Sequence, residues 1–89
     1  MKKIIVSLVV LLTLSFGNTI DEAKAYYEKK DYVSAFNIFE KLASNNDAKA
    51  QNALGFIYEK EGEYIKAAYW YEKAAVQGYA VSQTNLGRM

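Results

Sequence analysis

From residue 19 onward, apolar residues recur at three- and four-residue spacing, and short polar stretches interrupt them at regular intervals. That is the pattern of consecutive amphipathic helices. Thr19-Ile20-Asp21-Glu22 has the capping-box form and opens a first helix that runs to about Lys30. Asp31 is a good N-cap for a second helix over 32–44. Ser44-Asn45-Asn46-Asp47 carries turn chemistry, and Asp47 caps a third helix that ends near Lys60. Gly62 interrupts the pattern, and a fourth helix follows from about Tyr64 to Gln77, with Gly78 at the position just past its end. A fifth starts near Tyr79 and still runs at Met89.

The chain also repeats itself. An offset of 32 residues, without gaps, places Tyr26 on Tyr58, Tyr32 on Tyr64, Ala35 on Ala67 and Glu40-Lys41 on Glu72-Lys73. It then places Ala43 on Ala75, Ala48 on Ala80, Gln51 on Gln83 and Leu54-Gly55 on Leu86-Gly87. Self-similarity at such a period marks stacked helix pairs, and each pair must bury its apolar face against its neighbours. The units read as about 20–47 and 48–78, with the start of a third at 79–89. Small residues coincide at Ala23, Gly55 and Gly87 and again at Ala35 and Ala67. They would let two helix backbones approach closely, leaving Tyr26 and Tyr58 to fill the space one turn on.

Three adjacent aromatics, Tyr69, Trp70 and Tyr71, pose a choice between a ligand box and a core. In the fourth helix Tyr64, Ala67, Ala68, Tyr71, Ala74 and Ala75 fall on one face. Tyr71 belongs to that buried face, Trp70 borders it and can pack on the next helix, and Tyr69 points elsewhere. The first unit has Asn37, Ile38 and Phe39 at these places, so only the inward apolar character repeats. The three rings are therefore not expected to form one ligand box.

Composition narrows the function. Cysteine and histidine are both absent, which removes disulfides, Cys/His metal sites, thiol nucleophiles and the commonest general base. A net charge of +1 gives no electrostatic case for nucleic acid. Residues 1–17 read as a signal peptide: Lys2 and Lys3 precede an uncharged, mostly apolar run from Ile4 to Phe16, and Ser15 and Gly17 are small residues two apart. Cleavage is expected after Gly17, leaving a helical domain over 18–89 in the periplasm or the medium. A permanent span needs about 20 apolar residues, so a membrane contact would arise only through this segment if it stayed uncleaved. No cysteine follows the run, which excludes a lipid-modified anchor.

The spacing Leu54-Gly55-x-x-Tyr58, then Gly62-x-Tyr64-x-x-Ala67-x-x-x-Tyr71, resembles a tetratricopeptide repeat. Trp70-Tyr71-Glu72-Lys73-Ala74-Ala75-Val76-Gln77-Gly78 with Ala80, Gln83 and Leu86-Gly87 more closely resembles the Sel-one-like branch of those solenoids, secreted bacterial type. The turn Glu59–Glu63 is shorter than the usual Sel-one-like turn and more like a tetratricopeptide one. The resemblance covers about 20–89 and implies an all-α, right-handed helical-hairpin solenoid of about two repeats plus one helix. It implies a non-catalytic module that binds protein or peptide partners on the concave surface lined by the first helix of each unit. No cofactor or metal is implied.

The family pattern puts the groove positions at Lys24, Tyr27, Asn52, Phe56, Thr84 and Arg88. Periodicity agrees for Phe56, which sits two residues from Leu54 and so faces away from the Leu54/Ile57/Tyr58 side. Phe56 either anchors a partner of acidic character between Lys24 and Arg88 or packs on a neighbouring helix. Some secreted relatives carry cysteine staples and a β-lactamase or penicillin-binding label, which makes a hydrolase the alternative. The residues three after Ser7, Ser15, Ser34, Ser44 and Ser82 are Val10, Asn18, Asn37, Asp47 and Asn85, so the Ser-x-x-Lys motif of that chemistry does not occur. Solenoids usually need about three units and a polar cap. Two units and a helix ending at Gly87-Arg88-Met89 lead to the expectation of a fragment, or of self-association through that end.

Overall fold

A computed structural model describes residues 19–89; the signal-peptide expectation lies outside these. The described residues form five helices and no strand: α1 (Ile20–Glu28), α2 (Tyr32–Ser44), α3 (Ala48–Lys60), α4 (Tyr64–Val76) and α5 (Ala80–Arg88). Each helix packs on the next in sequence. The bounds fall within two residues of those expected. None of these helices is long and apolar enough to cross a membrane.

The helix starts follow from local hydrogen bonding. The Thr19 hydroxyl oxygen accepts from the Glu22 amide at 3.1 Å, Asp31 from the Ser34 amide at 3.2 Å and Asp47 from the Ala50 amide at 3.1 Å. Each bond satisfies one of the amides that a helix start leaves without an intrahelical partner.

The helix ends share one device at a spacing of 16 residues. Lys30, Asn46, Gly62 and Gly78 all have positive φ, at 67°, 72°, 78° and 88°. In each turn this residue's amide donates to the carbonyl three back, as Gly78 does to Ala75. The next amide donates five back: Asp31 to Tyr26, Asp47 to Leu42, Glu63 to Tyr58 and Tyr79 to Ala74. These are Schellman closures. The residue that completes each closure is also the N-cap of the next helix. A reversal of three residues follows, and the 32-residue repeat is two 16-residue halves.

The core begins between α1, α2 and α3, where Ala23, Ala35, Ile38, Phe39, Ala43, Ala50 and Leu54 are buried. Tyr26, Tyr58 and Trp70 pack against this cluster. It continues into the second unit through Ala67, Tyr71 and Ala74, all fully buried. Tyr71 lies on Gly55, and a Cβ at residue 55 would meet the ring's Cδ1 at 2.5 Å. Tyr71 is thus core, Trp70 half-buried and Tyr69 exposed, as periodicity requires.

Tyr64 corrects the expected face. It is 61% exposed, and its repeat mate Tyr32 is 52% exposed. Both are the first residue of their helix. Helical side chains lean toward the N-terminus, so a side chain on the first residue projects past the end of the helix. Leu86 is half-buried and Gly87 exposed, with nothing within 4 Å of a Cβ built at residue 87.

Candidate protein-binding surface

The six expected groove residues lie on the first helices of the pairs, α1, α3 and α5. Lys24, Tyr27 and Phe56 meet, together with Glu28, Phe39, Ala53 and Ile57, around a depression of about 140 Å³ between α1 and α3. Phe56 is 42% exposed, and the Lys60 ammonium lies 5.2 Å from its ring centroid. Phe56 also borders a second depression with Glu59, Lys60, Tyr64 and Arg88. Asn52, Thr84 and Arg88 are separate from the first depression; Thr84 is exposed.

Asn52 and Arg88 are tied down. The Asn52 side-chain oxygen accepts from the Ser82 hydroxyl at 2.7 Å and from the Asn85 amide at 3.1 Å. Ser82 is fully buried. Arg88 forks onto Glu59 with N–O distances of 2.8 and 3.0 Å, and the Tyr71 hydroxyl donates to the same carboxylate at 2.8 Å. The hydrogen bond from Arg88, then that from Tyr71, holds the Glu59 carboxyl below its ordinary range. The Tyr71 phenol is pushed up, first by burial and then by its bond to Glu59. Arg88 stays charged and is paired with Glu59, which balances the charge at this end of the surface.

Another hollow, of about 600 Å³, opens where the end of α1, the start of α2 and the end of α3 converge. Tyr27, Tyr32, Phe36 and Tyr58 line it with Val33, Asn37, Ile57, Lys60 and Glu61. Tyr27 and Tyr32 stand edge to face with centroids 5.1 Å apart, and Phe36 and Tyr58 do so at 5.8 Å. Tyr27 and Ile57 are shared with the smaller depression, so the two adjoin. Of these residues only Tyr27 was expected at a binding surface. The available signal was the pair of apolar residues that begins each second helix, Tyr32-Val33 and Tyr64-Ile65, which is exposed in both units.

Comparison with known proteins agrees with this architecture. The chain is 43% identical over 54 residues to a sel1-like repeat-containing protein of Acanthamoeba polyphaga mimivirus. The match covers 56% of this chain and 10% of that protein, so the chain spans about a tenth of the relative's length. No family model and no solved structure matches. Helix order, consecutive packing and this similarity together define an all-α helical-hairpin repeat of the Sel-one-like and tetratricopeptide type.

Proposed function

We propose that the chain is a non-catalytic module that binds a protein or peptide through the surface between its first two units. The observation that carries this reading is the pair of adjoining hollows over Tyr27 and Ile57, which keep aromatic side chains accessible at the junction of two rigid helix pairs. Aromatic side chains in pockets on a stiff scaffold are the usual anchors of protein interfaces. The repeat type is commonly used for binding, which the similarity to a sel1-like repeat protein favours without naming a partner.

Selection of displayed peptides on the purified chain tests the reading. Peptides enriched on the wild type should lose at least about tenfold in affinity on Phe56→Ser or Tyr32→Ser, since a hot-spot truncation costs roughly 2 kcal/mol or more. Failure to enrich any peptide, or binding unaffected by both changes, would overturn it.

The proposal includes export in the manner of a secreted bacterial protein, resting on Lys2, Lys3 and the apolar run Ile4 to Phe16. N-terminal sequencing of the cellular protein should then begin near Asn18, and an intact Met1 in the soluble fraction would refute it. The absence of Ser-x-x-Lys and of histidine supports the non-catalytic part. Purified protein should not turn over nitrocefin.

A further inference from the structure

We propose that the larger hollow is an aromatic cage for a basic side chain, so that the partner is a peptide presenting lysine or arginine at this point; this rests on the peptide-binding reading above. The two ring pairs are close to perpendicular, at 65° for Tyr27/Tyr32 and 89° for Phe36/Tyr58. In each edge-to-face pair the positive edge of one ring covers one face of the other, and the faces left over carry the negative part of the aromatic quadrupole. A space of about 600 Å³ takes a long side chain together with the flanking backbone.

The charges at the rim point to the same sign of ligand. Two charged residues line the hollow, Lys60 and Glu61. The Lys60 ammonium is drawn to the ring of Phe56, which is not part of the lining. Glu61 has no ion-pair partner among the described residues, whereas Glu59 and Glu63 each have one. The adjoining turns carry Glu28, Lys29, Lys30 and Asp31 on one side and Glu63 and Lys66 on the other, which balance in sign. Selection therefore falls to the rings and to Glu61. Lys66 illustrates the chemistry within the chain: its ammonium lies 5.5 Å from the Tyr58 ring centroid, although Lys66 does not line the hollow.

Among the described residues the cage occurs once. The repeat mate of Tyr27 is Glu59, whose carboxylate already receives Tyr71 and Arg88. A second ring at that place is replaced by an occupied anion, so one basic side chain per chain is expected.

The test uses N-acetyl-trimethyllysine amide and its neutral isostere, which has a tert-butyl group in place of trimethylammonium, titrated into the full chain. Aromatic NMR shifts of Tyr27, Tyr32, Phe36 and Tyr58 report binding. The cationic probe should move these rings with one site per chain and bind about tenfold or more tightly than the isostere, as several ring faces add. Tyr32→Leu and Glu61→Gln should each weaken it several-fold without lowering the melting temperature, because both residues are exposed. Equal binding of the two probes would overturn the cage and leave a plain apolar peptide site. Rings that respond to neither probe, while displayed peptides still bind, would overturn the cage and leave the peptide-binding reading intact. Failure of both experiments would remove both.

Discussion

Gly55 is where a single residue decides how the second unit packs. The Tyr71 ring lies where the side chain of any other residue would start, with Cδ1 at 2.5 Å and Cε1 at 2.6 Å from an added Cβ. Tyr71 is fully buried and bonded through its hydroxyl to Glu59, so it cannot move aside without losing both. Gly55→Ala should cost about 1–3 kcal/mol by overpacking, read as a lowered melting temperature. Combined with Tyr71→Ala, which vacates the space, the loss should be well below the sum of the two single losses. Full additivity would mean that the clash is relieved elsewhere. Ala67→Leu, at a fully buried small residue on the facing helix, should cost a similar amount by the same measurement. Lys30 presents the opposite case. Its φ of 67° strains a residue with a side chain, and the equivalent places Gly62 and Gly78 are glycines. Lys30→Gly should raise stability by about 0.5–1 kcal/mol, the relief of left-handed strain less the added freedom of the unfolded chain. A lowered melting temperature would show that the Lys30 side chain contributes more than its backbone costs.

At the scale of elements, the repeated glutamines explain a coincidence that the offset alone leaves open. Gln51 is fully buried and donates to the Ala43 carbonyl at 3.2 Å, and Gln83 donates to the matching Ala75 carbonyl at 3.2 Å. Each fastens a first helix to the end of the preceding second helix. The Gln51 oxygen also accepts from Gln77 at 2.8 Å, and Gln77 donates to Asn46 at 3.3 Å, which links the two turns at that end. Gln51→Leu should therefore cost about 1–3 kcal/mol in denaturant unfolding, as expected when buried polar partners are stranded. A neutral effect would mean that Gln77 and Asn46 satisfy each other unaided. Helix bounds were legible because Asp31, Asp47, Gly62 and Gly78 are strong local signals that the tertiary structure leaves in place. The 16-residue half-period was not, because Lys30 and Asn46 take the left-handed turn position without the glycine that announces it. Tyr64 was misplaced because periodicity treats a residue at a helix end like one in the middle. The aromatic hollow was illegible for another reason: Tyr27, Tyr32, Phe36 and Tyr58 come from three helices, and each by itself fits a core or repeat position.

Across the whole molecule, the two junctions between successive first helices use opposite chemistry. At the α1–α3 junction the residues are Ile20, Tyr27, Ala50, Ala53 and Phe56; the same places at the α3–α5 junction are Asn52, Glu59, Ser82, Asn85 and Arg88. Apolar residues thus fill the junction of α1 with α3, whereas α5, which packs on α4, is linked to α3 by hydrogen bonds and an ion pair. Net hydrogen bonds contribute less than their number suggests, because water competes for the same groups. Amides of 80–88 should consequently exchange with solvent faster than those of 64–76. The clamp of Glu59 to Arg88 and Tyr71 also makes the second junction depend on pH. Glu59 titrates below its ordinary value of 4.5 in the folded chain, so its contribution is present above that value and is lost as pH falls through the lower folded one. Tyr71 titrates above its ordinary value of 10.0, so its contribution is present below that value and is lost as pH rises beyond it. The acid side can be isolated with Glu59→Gln, which keeps the shape and removes the charge. Wild type should melt higher than this variant at neutral pH, and the gap should close as pH falls below the ordinary glutamate range. A gap that persists unchanged into acid would mean that Arg88 and Tyr71 hold residue 59 through shape and neutral hydrogen bonding, and that the carboxylate charge contributes nothing to keeping α5 in place.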